Sequence, residues 1–186
     1  MCMSITALAI DHGGRKAATF VQDRGLTRNW RNLIPESQGG VCGGLSLMWL
    51  AGKKSGLTSQ IFGNSKYSEA VFKFAERAQQ LGANNRMGGQ VGIDAVAKAF
   101  SLTRASVQVN VNDGNVGKWI VNGPSSLVFF AVNGHAVAAK VSKPAVTFFD
   151  PNYGVFKFPT TLKFVLFLKD YLTQTGQTSR FLKFYK

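Results

Sequence analysis

The rhythm of apolar and polar positions changes near Arg104. Before it, apolar residues recur at the intervals of a helix face; after it they alternate or gather in short runs, as strands do. Val41, Leu45, Met48 and Trp49 predict a helix that begins close to Cys42 and turns one stripe toward a core. It is expected to stop at Gly52, with Lys53 and Lys54 at the negative end of its dipole. A more amphipathic helix is expected over 65–82, where Val71, Phe74, Ala75, Ala78 and Leu81 share one face and Lys73, Glu76, Arg77 and Gln80 the other. A short one fits 93–100, while 17–21 reads as a strand and 35–40, punctuated by Pro35, Gly39 and Gly40, as a loop.

Beyond Arg104, strict alternation from Ser106 to Val111 predicts a half-buried strand. Short β-rich runs follow at 127–132, 135–141, 146–149 and 155–158. Asn133-Gly134 between two of them is a strong hairpin signal, and Ser142-Lys143-Pro144 marks the next turn. Pro159-Thr160-Thr161 opens a last helix toward Thr173, and 180–185 reads as a closing strand. A helical first half followed by an antiparallel sheet is α+β order. No repeat, low-complexity tract or proline-rich linker divides the chain, so 1–186 reads as a single domain.

Of the 186 residues, 45% are hydrophobic and 17% charged, below the usual share of about 25% charged, which excludes a disordered chain. The apolar runs fall short of the roughly 20 residues that a spanning helix needs. The first ten residues lack a basic segment before their apolar stretch, so they do not read as a signal peptide, and a soluble protein is expected. The net charge of +13 asks for a partner: an acidic protein surface, an anionic membrane or nucleic acid.

Two cysteines, Cys2 and Cys42, lie far apart and in no zinc-type spacing, so neither a disulfide scaffold nor a metal site is expected, and no cofactor. If a cysteine matters here, it matters chemically, and Cys42 is the candidate. In Gly39-Gly40-Val41-Cys42-Gly43-Gly44-Leu45-Ser46 it falls in the first turn of the predicted helix, where unpaired backbone N–H groups and the dipole favour thiolate over thiol. The glycines leave room for an approaching carbonyl and leave backbone N–H groups to form an oxyanion hole; Gln38 stands where its amide could add a donor. The competing reading is a small buried cysteine without chemistry.

His135 opens a predicted strand directly after the Asn133-Gly134 turn, and Asp150 closes another fifteen positions on. A hairpin through Ser142-Lys143-Pro144 places the outer ends of these strands side by side, with His135 next to Asp150. Thiolate, imidazole and an orienting carboxylate form a nucleophilic triad in outline. Each member alone has an ordinary structural use; their joint placement is the signal. The other histidine, His12, lies in a terminal segment and is a weaker candidate base.

Three segments carry a resemblance: Gly39-Gly40-Val41-Cys42 with Leu45, Ser46 and Trp49; Gly134-His135-Ala136-Val137-Ala138; and Phe149-Asp150-Pro151-Asn152-Tyr153-Gly154. They resemble the YopT-like cysteine peptidases, papain-like effectors of bacterial pathogens and symbionts. The resemblance implies a papain-like catalytic domain with Cys42 as nucleophile, His135 as base, Asp150 as orienting acid and Gln38, or Ser37 at a comparable distance, in the oxyanion hole. It implies a host protein as substrate, and an effector that acts inside a host cell without a classical signal peptide. The best-known members cleave basic, prenylated tails of Rho-family GTPases, which a strongly basic enzyme would repel. Related papain-like toxin domains deamidate glutamine or asparagine, so a host-protein deamidase is the alternative reading.

A third reading, from another class, is a basic module that binds nucleic acid or anionic lipid. Lys140, Lys157, Lys163, Lys183 and Lys186 interleave with Phe156, Phe158, Phe164, Phe184 and Tyr185 in the last third of the chain. Strand geometry explains much of this by turning aromatics inward and lysines outward, a pattern that Arg180-Phe181-Leu182-Lys183-Phe184 fits. Beside the triad, nucleic acid ranks below a protein substrate, and an anionic membrane surface remains the other partner that the charge suits. Met87-Gly88-Gly89-Gln90-Val91-Gly92 has no preceding strand and no following Lys-Ser or Lys-Thr, so it reads as a loop, without a bound phosphate.

Overall fold

The computed structural model of the chain describes residues 3–21, 41–57, 75, 77, 89–109 and 111–186. Ser4 starts the first element: its hydroxyl accepts the Ala7 N–H at 3.1 Å and caps α1 (Ile5–Asp11). The short strand β1 (Arg15–Ala18) follows. The helix α2 (Cys42–Ser55) and the helix α3 (Gly89–Ala99) precede β2 (Arg104–Val109) and the short α4 (Val116–Asn122). A meander of β3 (Leu127–Val132), β4 (His135–Ser142), β5 (Ala145–Asp150) and β6 (Gly154–Phe158) comes next. Thr160 caps α5 (Thr161–Thr175), and β7 (Ser179–Tyr185) closes the chain.

Among the described residues seven strands form one antiparallel sheet in the order β1-β6-β5-β4-β3-β7-β2. The meander supplies the centre, while β1 and β7 arrive from the two ends of the chain. Helices cover both faces. On one, α1, α4 and α5 pack Leu8, Ile120, Phe164 and Phe167 onto Val137, Phe148 and Phe156. On the other, α2 and α3 pack Leu45, Trp49 and Val96 onto Ala136, Ala138 and Phe149. A strand between two cores needs apolar residues on both sides, which is why all six residues of β3 are buried.

Several sequence expectations change. The α2 helix runs through Gly52 and ends where Gly56 takes a φ of 78°, its N–H returning to the Gly52 carbonyl. It is buried around most of its circumference rather than along one stripe. The stretch expected to be a loop at 87–92 contributes Gly89, Gln90, Val91 and Gly92 to α3. The first strand lies at Arg15–Ala18 rather than at 17–21, and α1 and α4 carry no strong periodic signal of their own because each is only 7 residues long. Lys183 does not point outward: both faces of β7 are covered, and it is completely buried beside Asp94. His12, expected in a loose terminus, follows α1 and places Nε2 at 2.9 Å from Asp170 on α5. The helix expected over 65–82 lies outside the described residues except for Ala75 and Arg77, both helical.

Candidate active site

Cys42 is the first residue of α2, and its N-cap, Val41, offers no side-chain hydrogen bond to the helix end. The positive end of the dipole therefore falls at the Cys42 thiol, which is unbridged and only 7% exposed. One turn on, the buried Ser46 hydroxyl donates to the Ala136 carbonyl at 3.1 Å and docks the helix on β4 beside His135.

His135 begins β4 after Gly134, whose φ of 65° favours glycine and closes a two-residue link from β3, with Val132 opposite His135. Asp150 ends β5. The hairpin register sets Ala138 against Phe149, so His135 and Asp150 stand a diagonal apart. They share strand parity with Val137 and Phe148, whose core is the α5 side of the sheet. Cys42 belongs to the opposite core. The site thus forms at the ends of β4 and β5, where the two layers meet.

His135 Nε2 lies 2.9 Å from Asp150 Oδ1. Cys42 also acts on the ring, alongside Asp150. Asp150 is completely buried and accepts two further donors: the Asn152 N–H at 2.8 Å on Oδ1 and the Tyr171 hydroxyl at 2.5 Å on Oδ2. Burial pulls the His135 pKa down, but hydrogen bonds and charge from Asp150 and Cys42 outweigh it and push the pKa up to about 10. The ring is therefore held as an imidazolium beside the buried Asp150 side chain. Such a set can deliver an ionised sulfur to an electrophilic carbon and hold a proton for a leaving group.

The structure brings Cys42, His135 and Asp150 together; Gln38 and Ser37 lie outside the described residues. Tyr171 was not singled out from sequence, although its place on the inward stripe of α5 with Phe164, Phe167 and Leu168 was the available signal, since a buried tyrosine hydroxyl needs a partner. A cavity of about 490 Å³ opens beside His135, walled by Asn152, Tyr153, Tyr171, Gln174 and Gln177 with the start of α1. Among the described residues no three His, Cys, Asp or Glu side chains converge on a metal position.

A cysteine at a helix N-terminus set against a histidine and a carboxylate on an antiparallel sheet is the architecture of papain-like cysteine peptidases. The chain belongs to the YopT-like peptidase family C58, described as Yersinia/Haemophilus virulence surface antigen, whose family model matches residues 7–183. It is a cysteine-type peptidase of a bacterial virulence family. The fold is similar to that of the Pseudomonas avirulence protein AvrPphB, with a TM-score of 0.59 and 16% identity over 81% of this chain and 93% of that one. It is also similar to PatoxP, a cysteine protease-like domain of the Photorhabdus asymbiotica toxin PaTox, with a TM-score of 0.52 and 14% identity over 82% of this chain and 50% of that one. Comparison with curated protein sequences finds no significant match. No described helix is long and apolar enough to cross a membrane.

Proposed function

We propose that Cys42, His135 and Asp150 are the catalytic residues of one catalytic domain, 1–186, that cleaves a peptide bond in a host protein inside the host cell. The observation that carries this reading is the placement of His135 between Cys42 and Asp150, with 2.9 Å to the carboxylate. The Cys42 thiolate adds to the amide carbon, and the carbonyl π electrons move onto oxygen. Backbone N–H groups at the start of α2, with Gln38 as an added amide donor, receive that oxyanion. As the intermediate collapses, the imidazolium passes its proton to the departing amine and a thioester remains. Neutral His135 then takes a proton from water, which adds to the thioester and releases the acid and the Cys42 sulfur, restoring the ion pair. Asp150 holds the ring in place throughout and keeps its own charge.

Incubation of candidate host proteins with wild type and Cys42→Ala, read by intact mass, tests this. Two fragments whose masses sum to substrate plus water, formed by wild type only, are expected. A single product in which an amide has become an acid would assign deamidation to the same residues. Full activity in Cys42→Ala would end the assignment.

A further inference from the structure

Among the described residues, one transverse row of the sheet carries cations with no anion opposite. Arg15 on β1 pairs in register with Lys157 on β6, Lys157 with Thr147 on β5, and Thr147 with Lys140 on β4. These side chains share the face that α2 covers, by parity with Val155, Phe149 and Ala138. Lys53, in the last turn of α2, comes down onto the same row, and the Lys140 ammonium donates to the Lys53 carbonyl at 3.4 Å. Burial, then Lys157, then Lys140 hold the Lys53 pKa below its ordinary value. Like charges directly opposed on a ladder are destabilising.

Four of the described carboxylates are engaged elsewhere, and Asp11 lies exposed at the end of α1, the helix that packs on the other face. Asp94 pairs with Arg104 and Lys183, Asp150 with His135 and Asp170 with His12, while Asp113 accepts from Ser179. Beneath the row lies a second unanswered group. Trp49 is fully buried with Lys53 Nζ 5.1 Å from its ring centroid, and its indole N–H has no hydrogen-bond partner. A buried donor without an acceptor is rare in a folded protein. The place therefore offers four cations, with the Thr147 hydroxyl as the neutral member of the sheet row.

We propose that the row Arg15, Lys157, Lys140 with Lys53 is a binding site for an anion that carries several phosphate groups. Strands stand about 4.8 Å apart, so the row from β1 to β4 spans roughly 14 Å, more than one carboxylate can neutralise. Three of the four cations are lysines, compact charges that suit phosphate oxygens without demanding a fork geometry. The site lies at the end of α2 opposite Cys42, so occupancy can be measured whether or not the catalytic reading holds.

The probes are sodium tripolyphosphate, read by calorimetry and by the melting temperature, and phosphatidylcholine vesicles with or without phosphatidylinositol bisphosphate, read by co-sedimentation. Lys140→Thr with Lys157→Thr is compared with a charge-matched control, Lys118→Thr with Lys169→Thr. Wild type is expected to bind at least one phosphate probe. The row variant should lose at least about tenfold in affinity, the size expected when a charged contact is removed, and the control should bind as wild type does. Response to tripolyphosphate assigns a soluble ligand; response only to the charged vesicles assigns a lipid headgroup. Without any anion and at low salt, the row variant should melt above wild type because the repulsion is relieved, which also shows that it folds. Absence of binding to either probe, or equal loss in row variant and control, would overturn the proposal.

Discussion

The Tyr171 hydroxyl donates to Asp150 Oδ2 at 2.5 Å, from a helix on the far side of the sheet from the one that carries Cys42. Burial, then the Asp150 charge, hold the phenol well above its ordinary pKa, so tyrosine keeps its proton and acts as the donor. Tyr171→Phe keeps the ring contacts with Phe148 and Phe167 and removes only the donor. A lost hydrogen bond to a buried charge costs about 1.5–3 kcal/mol, and urea unfolding of the variant should read a loss of that size. Peptidase activity should fall with it, since the carboxylate that holds His135 loses a fixed orientation. Stability and activity equal to wild type would show that Asn152 and His135 alone suffice to fix Asp150.

The raised pKa of His135 makes stability depend on pH with a definite sign. Its folded value, about 10, lies above the ordinary 6.5, so the folded state binds a proton that the unfolded state releases between those limits. The contribution is complete below the unfolded value and disappears as pH rises through the folded one. Unfolding free energy should therefore decline steadily from neutral pH toward pH 10 in wild type, and His135→Gln should flatten that decline. Direct titration of the ring by NMR should find the imidazolium persisting across neutral pH; a midpoint near 6.5 would mean that the ion pair does not form.

The meander and the hairpin that joins His135 to Asp150 were legible because Asn133-Gly134 and Ser142-Lys143-Pro144 are local signals, each acting within a few residues. The positions of β1 and β7 were not. Pairing of Arg15 with Lys157, or of Leu127 with Tyr185, is decided by tertiary packing that no sequence window contains. The start of α2 was visible in its apolar spacing, whereas its end was misplaced: a single glycine such as Gly52 is tolerated within a packed helix, and the stop requires the positive φ that Gly56 adopts. Lys183 was misread for a related reason. Alternation assigns one face to solvent only when a sheet has one covered face, and this sheet has two.

Gly44 looked like space for substrate; the structure gives it a packing reason. A Cβ built there would lie 2.2 Å from the Ala75 carbonyl oxygen, a backbone atom with no rotamer in which to retreat. Gly44→Ala must therefore displace α2 from the segment at Ala75, two residues after the candidate nucleophile. Overpacking of this kind typically costs about 1–3 kcal/mol, and a lower melting temperature with slower alkylation of Cys42 is the expected result. Gly43→Ala serves as comparison: a larger loss there than at Gly44 would mean that the glycines serve access to the thiol more than packing.

Asp94 on α3 binds three elements together: it accepts from Lys183 of β7 at 2.8 Å, from Arg104 of β2 at 2.5 Å and from the Tyr185 hydroxyl at 3.2 Å. Burial depresses the Lys183 ammonium while Asp94 supports it, so the carboxylate is a main reason that a charge survives inside the sheet's cover. Asp94→Ala removes the carboxylate that supports this ammonium, and loss of a hydrogen bond between charged groups costs about 1.5–3 kcal/mol. Arg104 is half exposed and turns to water at little cost, so the loss should trace to Lys183. Asp94→Ala combined with Lys183→Met should accordingly be more stable than Asp94→Ala alone, a non-additivity that a double-mutant cycle in urea measures directly. Strict additivity would mean that Asp94 stabilises through Tyr185 or the helix end, and that the lysine charge is answered by another group.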